Sequence, residues 1–106
     1  MPGLVALLSD QDVTTRCLAV NTLAKLKATN ALPRLRPLLG DPVASVRCEA
    51  ASALAELDAR DLAADLRKLL NDDDADVRVA ATVALTKFGW EEGPKELRTL
   101  LRRHVL

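Results

Sequence analysis

At 106 residues the chain is long enough for one small domain, which at this size buries roughly 65% of its unfolded surface. Fifteen Lys and Arg balance fifteen Asp and Glu, so the basic excess expected of a general nucleic-acid or anionic-membrane binder is absent. The apolar 49% is mostly Leu and Ala, with one Trp, one Phe and no Tyr, a composition that favours closely packed helices over sheet.

In chain order, PGLVALLSD predicts a short helix near 2–9, and a longer amphipathic helix follows near 12–27. Helices are then expected near 31–39 and 43–57, the second within PVASVRCEAASALAEL. There Val46, Ala50, Ala53, Leu54 and Leu57 form an apolar stripe at helical spacing. DLAADLRKLL supplies a shorter helix near 62–70, with Leu62, Leu66, Leu69 and Leu70 on one side. The last two helices fall near 74–88 and 94–104. Asp41 before Pro42 reads as an N-cap followed by N1, and Asn30 and Asp61 mark the starts of the shorter helices. Pro37 removes one helical hydrogen bond and predicts a kink in 31–39.

Self-similarity organises these helices. At a period of 31 residues Leu4, Leu35, Leu66 and Leu97 align, as do Leu7, Leu38, Leu69 and Leu100, and Leu8, Leu39, Leu70 and Leu101. Over three copies so do Asp10, Asp41 and Asp72; Arg16, Arg47 and Arg78; Ala19, Ala50 and Ala81; and Leu23, Leu54 and Leu85. Each period is a long helix (A) and a shorter one (B), and neither buries its stripe until copies stack. The expected fold is all-α, an α-solenoid of stacked antiparallel helix pairs with about seven helices. It forms one domain over 1–106: a half repeat at 1–9 and repeats at 10–40, 41–71 and 72–106.

DPVASVRCEAASALAEL and DDADVRVAATVALTKFG resemble HEAT-like repeats of the short kind named after phycobilisome lyases. The matching positions are Asp41, Val46, Arg47, Ala50, Ala51, Ala53 and Leu54, then Asp72, Val77, Arg78, Ala80, Ala81, Ala84 and Leu85. The first copy departs from the pattern at Thr15, Val20 and Thr22. The resemblance implies a right-handed superhelix with the B helices on the concave face. It also implies that the Asp and Arg columns form a ladder between repeats. Function is left open, because the family hosts scaffolds, regulatory subunits, chromophore lyases, a metal-dependent hydroxylase and DNA glycosylases.

Catalytic chemistry finds no footing in these residues. His104 is the only histidine, and the His-Glu pairs of the hydroxylase branch are absent. A calcium loop starting at Asp72 needs Gly and Glu where the sequence has Val77 and Val83, so Asp72, Asp73, Asp74 and Asp76 read as a capped helix start. Zinc needs more ligands than two distant cysteines and one histidine provide. No enzyme activity, catalytic residue, metal or cofactor is therefore expected. Cys17 and Cys48 share a phase on helices about 8–10 Å apart, too far for a disulfide. Two free thiols and no signal peptide suggest a cytoplasmic protein. No apolar run approaches the roughly 18 residues of a membrane span.

Binding residues are sought on the B helices. Arg36, Arg67 and Arg98 share one phase, with Lys68, Arg102 and Arg103 nearby, a basic strip on the face that solenoids use for recognition. Trp90 follows the last A helix as a further anchor. Lys25, Glu56 and Lys87 share a phase on the A helices, and their alternating sign suggests surface ion pairs. The expected function is a protein–protein interaction scaffold or adaptor holding a partner on the concave B face through Arg36, Arg67, Arg98, Lys68, Arg102 and Trp90. The partner is another protein with an acidic surface or peptide, not nucleic acid or membrane. The alternatives are a non-catalytic or lyase-type subunit of a cofactor-handling complex, or a fragment of a larger repeat protein. A weak head-to-tail self-association is expected from core-type surface left open at the ends, with Leu4 and Val83 as examples.

Overall fold

A computed structural model of the chain describes residues 2–89. It contains six α-helices: α1 (Pro2–Ala6), α2 (Val13–Lys25), α3 (Leu32–Leu35), α4 (Ala44–Glu56), α5 (Ala63–Lys68) and α6 (Ala75–Lys87). The long A helices are α2, α4 and α6, and α4 packs between the other two. The B segments are composite. Short 3-10 turns open the second and third of them at Thr29–Ala31 and Arg60–Leu62, and 3-10 turns close all three at Leu7–Ser9, Arg36–Gly40 and Leu69–Asn71. The expected helix near 94–104 lies outside the described residues.

The recurring apolar columns form the core. Leu23, Leu54 and Leu85 are fully buried, as are Leu35 and Leu66 from the B segments and Val46 and Val77 from the A helices. Removing each such side chain from water is worth about 1.5–3 kcal/mol. Ala19, Ala50 and Ala81 are buried between them, and their small side chains let successive A helices approach closely.

The first two A helices are closed by the same backbone device. The Ala28 N–H reaches the Leu23 carbonyl at 3.0 Å while the Lys27 N–H reaches Ala24 at 3.0 Å. Ala59 to Leu54 at 3.0 Å and Asp58 to Ala55 at 3.2 Å repeat the arrangement. These pairs form a Schellman cap, which requires a left-handed residue just past the helix. Lys27 (φ 55°), Asp58 (φ 54°) and Gly89 (φ 83°) occupy that position. The next residue in each of the first two copies, Ala28 and Ala59, is buried.

Several local expectations need correcting. The N-cap of α4 is Val43, with no side-chain bond, and Pro42 lies before the helix. Asp41 instead accepts from the Val43 N–H at 2.9 Å, because the same carboxylate also faces the preceding repeat. True side-chain caps occur at Asp12, which accepts from the Thr15 N–H, and at Asp74, which accepts from those of Asp76 and Val77. Asn30 and Asp61 lie inside opening 3-10 turns whose own caps are Ala28 and Ala59, so neither begins a helix as a cap. Pro37 shortens its helix: 3-10 geometry starts at Arg36, whereas the equivalent turns start at Leu7 and Leu69.

Candidate interaction face

Two kinds of Arg–carboxylate pair connect neighbouring repeats, and burial separates them. On the A edge, Arg47 donates through Nε and Nη2 to Asp72 at 2.9 and 3.0 Å, and through Nη1 to the Asp41 carbonyl at 2.7 Å. Asp72 in turn accepts from the Asp74 N–H at 2.9 Å. One repeat earlier Arg16 sits 3.1 Å from Asp41 and donates to the Asp10 carbonyl at 2.7 Å. Its Nε is buried and poorly aligned on the carboxylate, leaving one well-directed bond, Nη2 to Oδ1 at 3.2 Å. The Arg47 and Asp72 side chains are only 17% and 10% exposed. Their mutual hydrogen bonding lowers the Asp72 pKa below the ordinary carboxylate value and raises that of Arg47. This ladder is architecture: its donors and acceptors are consumed within the stack.

The B side is different. Arg36 sits 3.2 Å from Asp65 and makes one well-directed bond to it, Nη2 to Oδ1 at 3.3 Å, but its side chain is 60% exposed. Arg67 and Lys68, at the end of α5, are both exposed. The structure thus brings Arg36, Arg67 and Lys68 to the B segments, where Arg36 is partly neutralised by Asp65. Arg98, Arg102 and Trp90 lie outside the described residues. Exposed Arg34 and Arg60 add cations to the B segments that no repeating column marks. Arg60 bonds Asp58 at 2.9 Å. Asp65 was also missed: its tie to Arg36 spans 29 residues, an offset that a strict 31-residue register does not reveal.

Clefts run between consecutive B segments. Pro33, Arg36, Pro37, Leu39, Asp65 and Lys68 are among the residues around a space of about 550 Å³. Another, of about 560 Å³, opens beside Thr29, Leu32, Pro33, Leu57 and Asp58. Charge follows the same division. The A stretches 10–28, 41–58 and 72–88 contain six basic and ten acidic residues, and the remainder nine basic and five acidic. The described B stretches 2–9, 29–40 and 59–71 hold five of these basic residues and two of the acidic ones, so they are basic where the A stretches are acidic.

Other expected contacts do not form among the described residues. Lys25, Glu56 and Lys87 make no ion pair within 4.0 Å, and Lys27 donates instead to the Glu56 carbonyl at 3.1 Å. Val83 is exposed, but so are Asn21 and Ser52 at the same phase of internal repeats. Its exposure belongs to the outer surface of the A helices and not to an uncovered end. Cys17 and Cys48 are free, half-buried thiols, and burial pushes the Cys48 thiol pKa up. No helix among the described residues is long and apolar enough to cross a membrane.

The stacked hairpins and their inter-repeat ladder agree with the comparison of the whole chain against known families. The family model for HEAT repeats matches residues 1–86 and again 38–104. The chain is a HEAT-repeat protein. The two overlapping matches reflect the periodicity, since a model spanning several repeats fits in more than one register. No curated protein matches the chain significantly. The HEAT repeats establish an α-solenoid, an architecture widely used to hold other proteins, and name no particular partner.

Proposed function

We propose that this HEAT-repeat chain is a non-catalytic interaction module that holds an acidic segment of a partner protein against its B segments. The observation that supports the reading is the sorting of charge: Arg16 and Arg47 on the A edge are spent inside the stack, while Arg36 and Lys68 remain exposed beside an inter-repeat cleft and Arg67 is exposed on the same helix as Lys68. Pro33, Pro37 and Leu39 supply apolar wall to the same cleft, so an extended acidic peptide with apolar side chains meets both chemistries. Specificity and association rate then come from the charge match. Arg98, at the same repeat position as Arg36 and Arg67, extends the proposed face.

The test is fluorescence anisotropy of labelled acidic, neutral and basic peptides of equal length, with the unaltered chain and with R36A/R67A/K68A. The acidic peptide alone should bind, more weakly as salt rises. The triple variant should lose that binding with an unchanged melting temperature. Equal affinity for the basic peptide, or binding that survives the triple substitution, overturns the proposal.

A further inference from the structure

Three arginines meet an aspartate of the next repeat with the same atoms. Arg16, Arg47 and Arg36 each set Nε against Oδ2 and Nη2 against Oδ1, of Asp41, Asp72 and Asp65 respectively. That grip uses one edge of the planar guanidinium and turns the Nη1 end away from the carboxylate.

On the A edge the Nη1 end reads backbone. Arg16 donates from it to the Asp10 and Gln11 carbonyls at 2.7 and 3.3 Å, and Arg47 to those of Asp41 and Pro42 at 2.7 and 3.2 Å. Arg78 does the same with the Asp72 and Asp73 carbonyls at 2.6 and 3.2 Å. Each acceptor pair is two consecutive peptide groups, and the first residue of each is extended, with ψ of 146°, 143° and 148° at Asp10, Asp41 and Asp72.

Arg36 has the same grip, but among the described residues its Nη1 has no acceptor. Its side chain is 60% exposed, while that of Asp65 is 20% exposed. Pro33, Pro37, Leu39 and the exposed Lys68 surround the same cleft. Charge decides what suits the Nη1 end. Asp65 already neutralises Arg36, so a second carboxylate at the same guanidinium is repelled by the first. A peptide carbonyl offers lone pairs without a charge, and it is what Nη1 takes at each A-edge arginine.

Resting on the interaction reading above, we infer that Arg36 reads the main chain of the bound segment. Its Nη1 donates to a backbone carbonyl of an extended peptide lying along the cleft, and Asp65 is the positioning residue that aims it. The acidic side chain of that peptide goes to Lys68, which makes no ion pair among the described residues. The carbonyl contact requires an extended backbone and is indifferent to side chains. The ammonium contact selects the acid.

Fluorescence anisotropy with the acidic peptide and with analogues that each carry one ester in place of a backbone amide tests the inference. An ester carbonyl is the weaker acceptor, and the N–H lost with it has no use for a guanidinium. One analogue should bind the unaltered chain about fivefold more weakly than the parent peptide, the worth of one hydrogen bond. That difference should vanish in Arg36→Ala and in Arg36→Lys, which keeps the charge but lacks the Nη1 end. It should be largely lost in Asp65→Ala, although removing that carboxylate makes the cleft more attractive to an acidic peptide. Asp61→Ala makes the same charge change at an exposed residue away from this cleft and should retain the difference. Far-UV circular dichroism should show all four variants folded. If no peptide binds the unaltered chain, the interaction reading falls and this inference with it. If the acidic peptide binds but no ester analogue shows a loss that depends on Arg36, the inference alone is overturned. An ester effect that persists in full in Asp65→Ala overturns it as well.

Discussion

Substituting Arg47 should unfold the stack far more readily than substituting Arg36, although both pair with an aspartate of the next repeat. Arg47→Met preserves much of the aliphatic stem and deletes the fork. It removes two bonds to Asp72 and the 2.7 Å bond to the Asp41 carbonyl, and leaves Asp72, 10% exposed, with only the Asp74 N–H. Hydrogen bonds to charged groups are worth about 1.5–3 kcal/mol each and are not additive. Stranding a fully buried charge costs about 3–5 kcal/mol; the partial exposure here reduces the expected loss to about 2–4 kcal/mol. Arg36→Met breaks a pair whose arginine is 60% exposed, where water replaces the lost partner, and the expected cost is about 0–1 kcal/mol. At about 4 °C or more per kcal/mol for a domain of this size, thermal melts followed by far-UV circular dichroism separate the two. Equal drops in melting temperature for the two variants would refute the claim that the buried, doubly bonded Arg47 rung is the stronger one.

The left-handed caps make a second prediction. A non-glycine residue there costs about 1 kcal/mol, so Lys27→Gly should raise stability by up to about that amount in urea titrations and Gly89→Ala should lower it by a similar amount. A loss on Lys27→Gly would show that the Lys27 bond to the Glu56 carbonyl outweighs the backbone strain. The third concerns acid. The Asp72 pKa is depressed by Arg47, so its stabilisation is complete above the ordinary carboxylate value of about 3.9 and disappears as pH falls through the lower folded value. Asp72→Asn should be less stable at neutral pH and lose less on acidification. A wild-type slope of melting temperature against pH below about 4 in that variant would remove Asp72 from the acid response.

The repeat architecture was legible because a buried phase must stay buried in every copy. Leu23, Leu54 and Leu85, or Leu35 and Leu66, announce their environment by recurring. Contacts between repeats were harder, because same-phase alignment tells which residues are equivalent, not which ones touch. The rungs that form are offset by 25 residues, as in Arg47 to Asp72, or by 29, as in Arg36 to Asp65. Lys25 and Glu56 are equivalent by phase and do not pair. The Asp41-Pro42 start misled for a related reason: an Asp before a Pro usually caps a helix, but here the Asp41 carboxylate also meets Arg16, a demand visible only once the repeats are stacked. On the interaction face, the arginine column was readable, while Asp65, which pairs with Arg36, was not.

The 3-10 turns that finish the B segments give the two edges of the stack different mechanics. An α-helical residue advances about 1.5 Å along the axis and a 3-10 residue about 2.0 Å. Rewinding the three residues Leu7–Ser9 or Leu69–Asn71 between these forms changes the segment's length by about 1.5 Å. The A edge has no comparable slack, because Arg16 and Arg47 clamp both a carboxylate and a turn carbonyl. Bending is therefore concentrated on the cleft side, which can tighten or open like the pages of a book held at its spine. The middle leaf is the stiffest, since Pro37 has no N–H with which to rejoin the α-helical ladder.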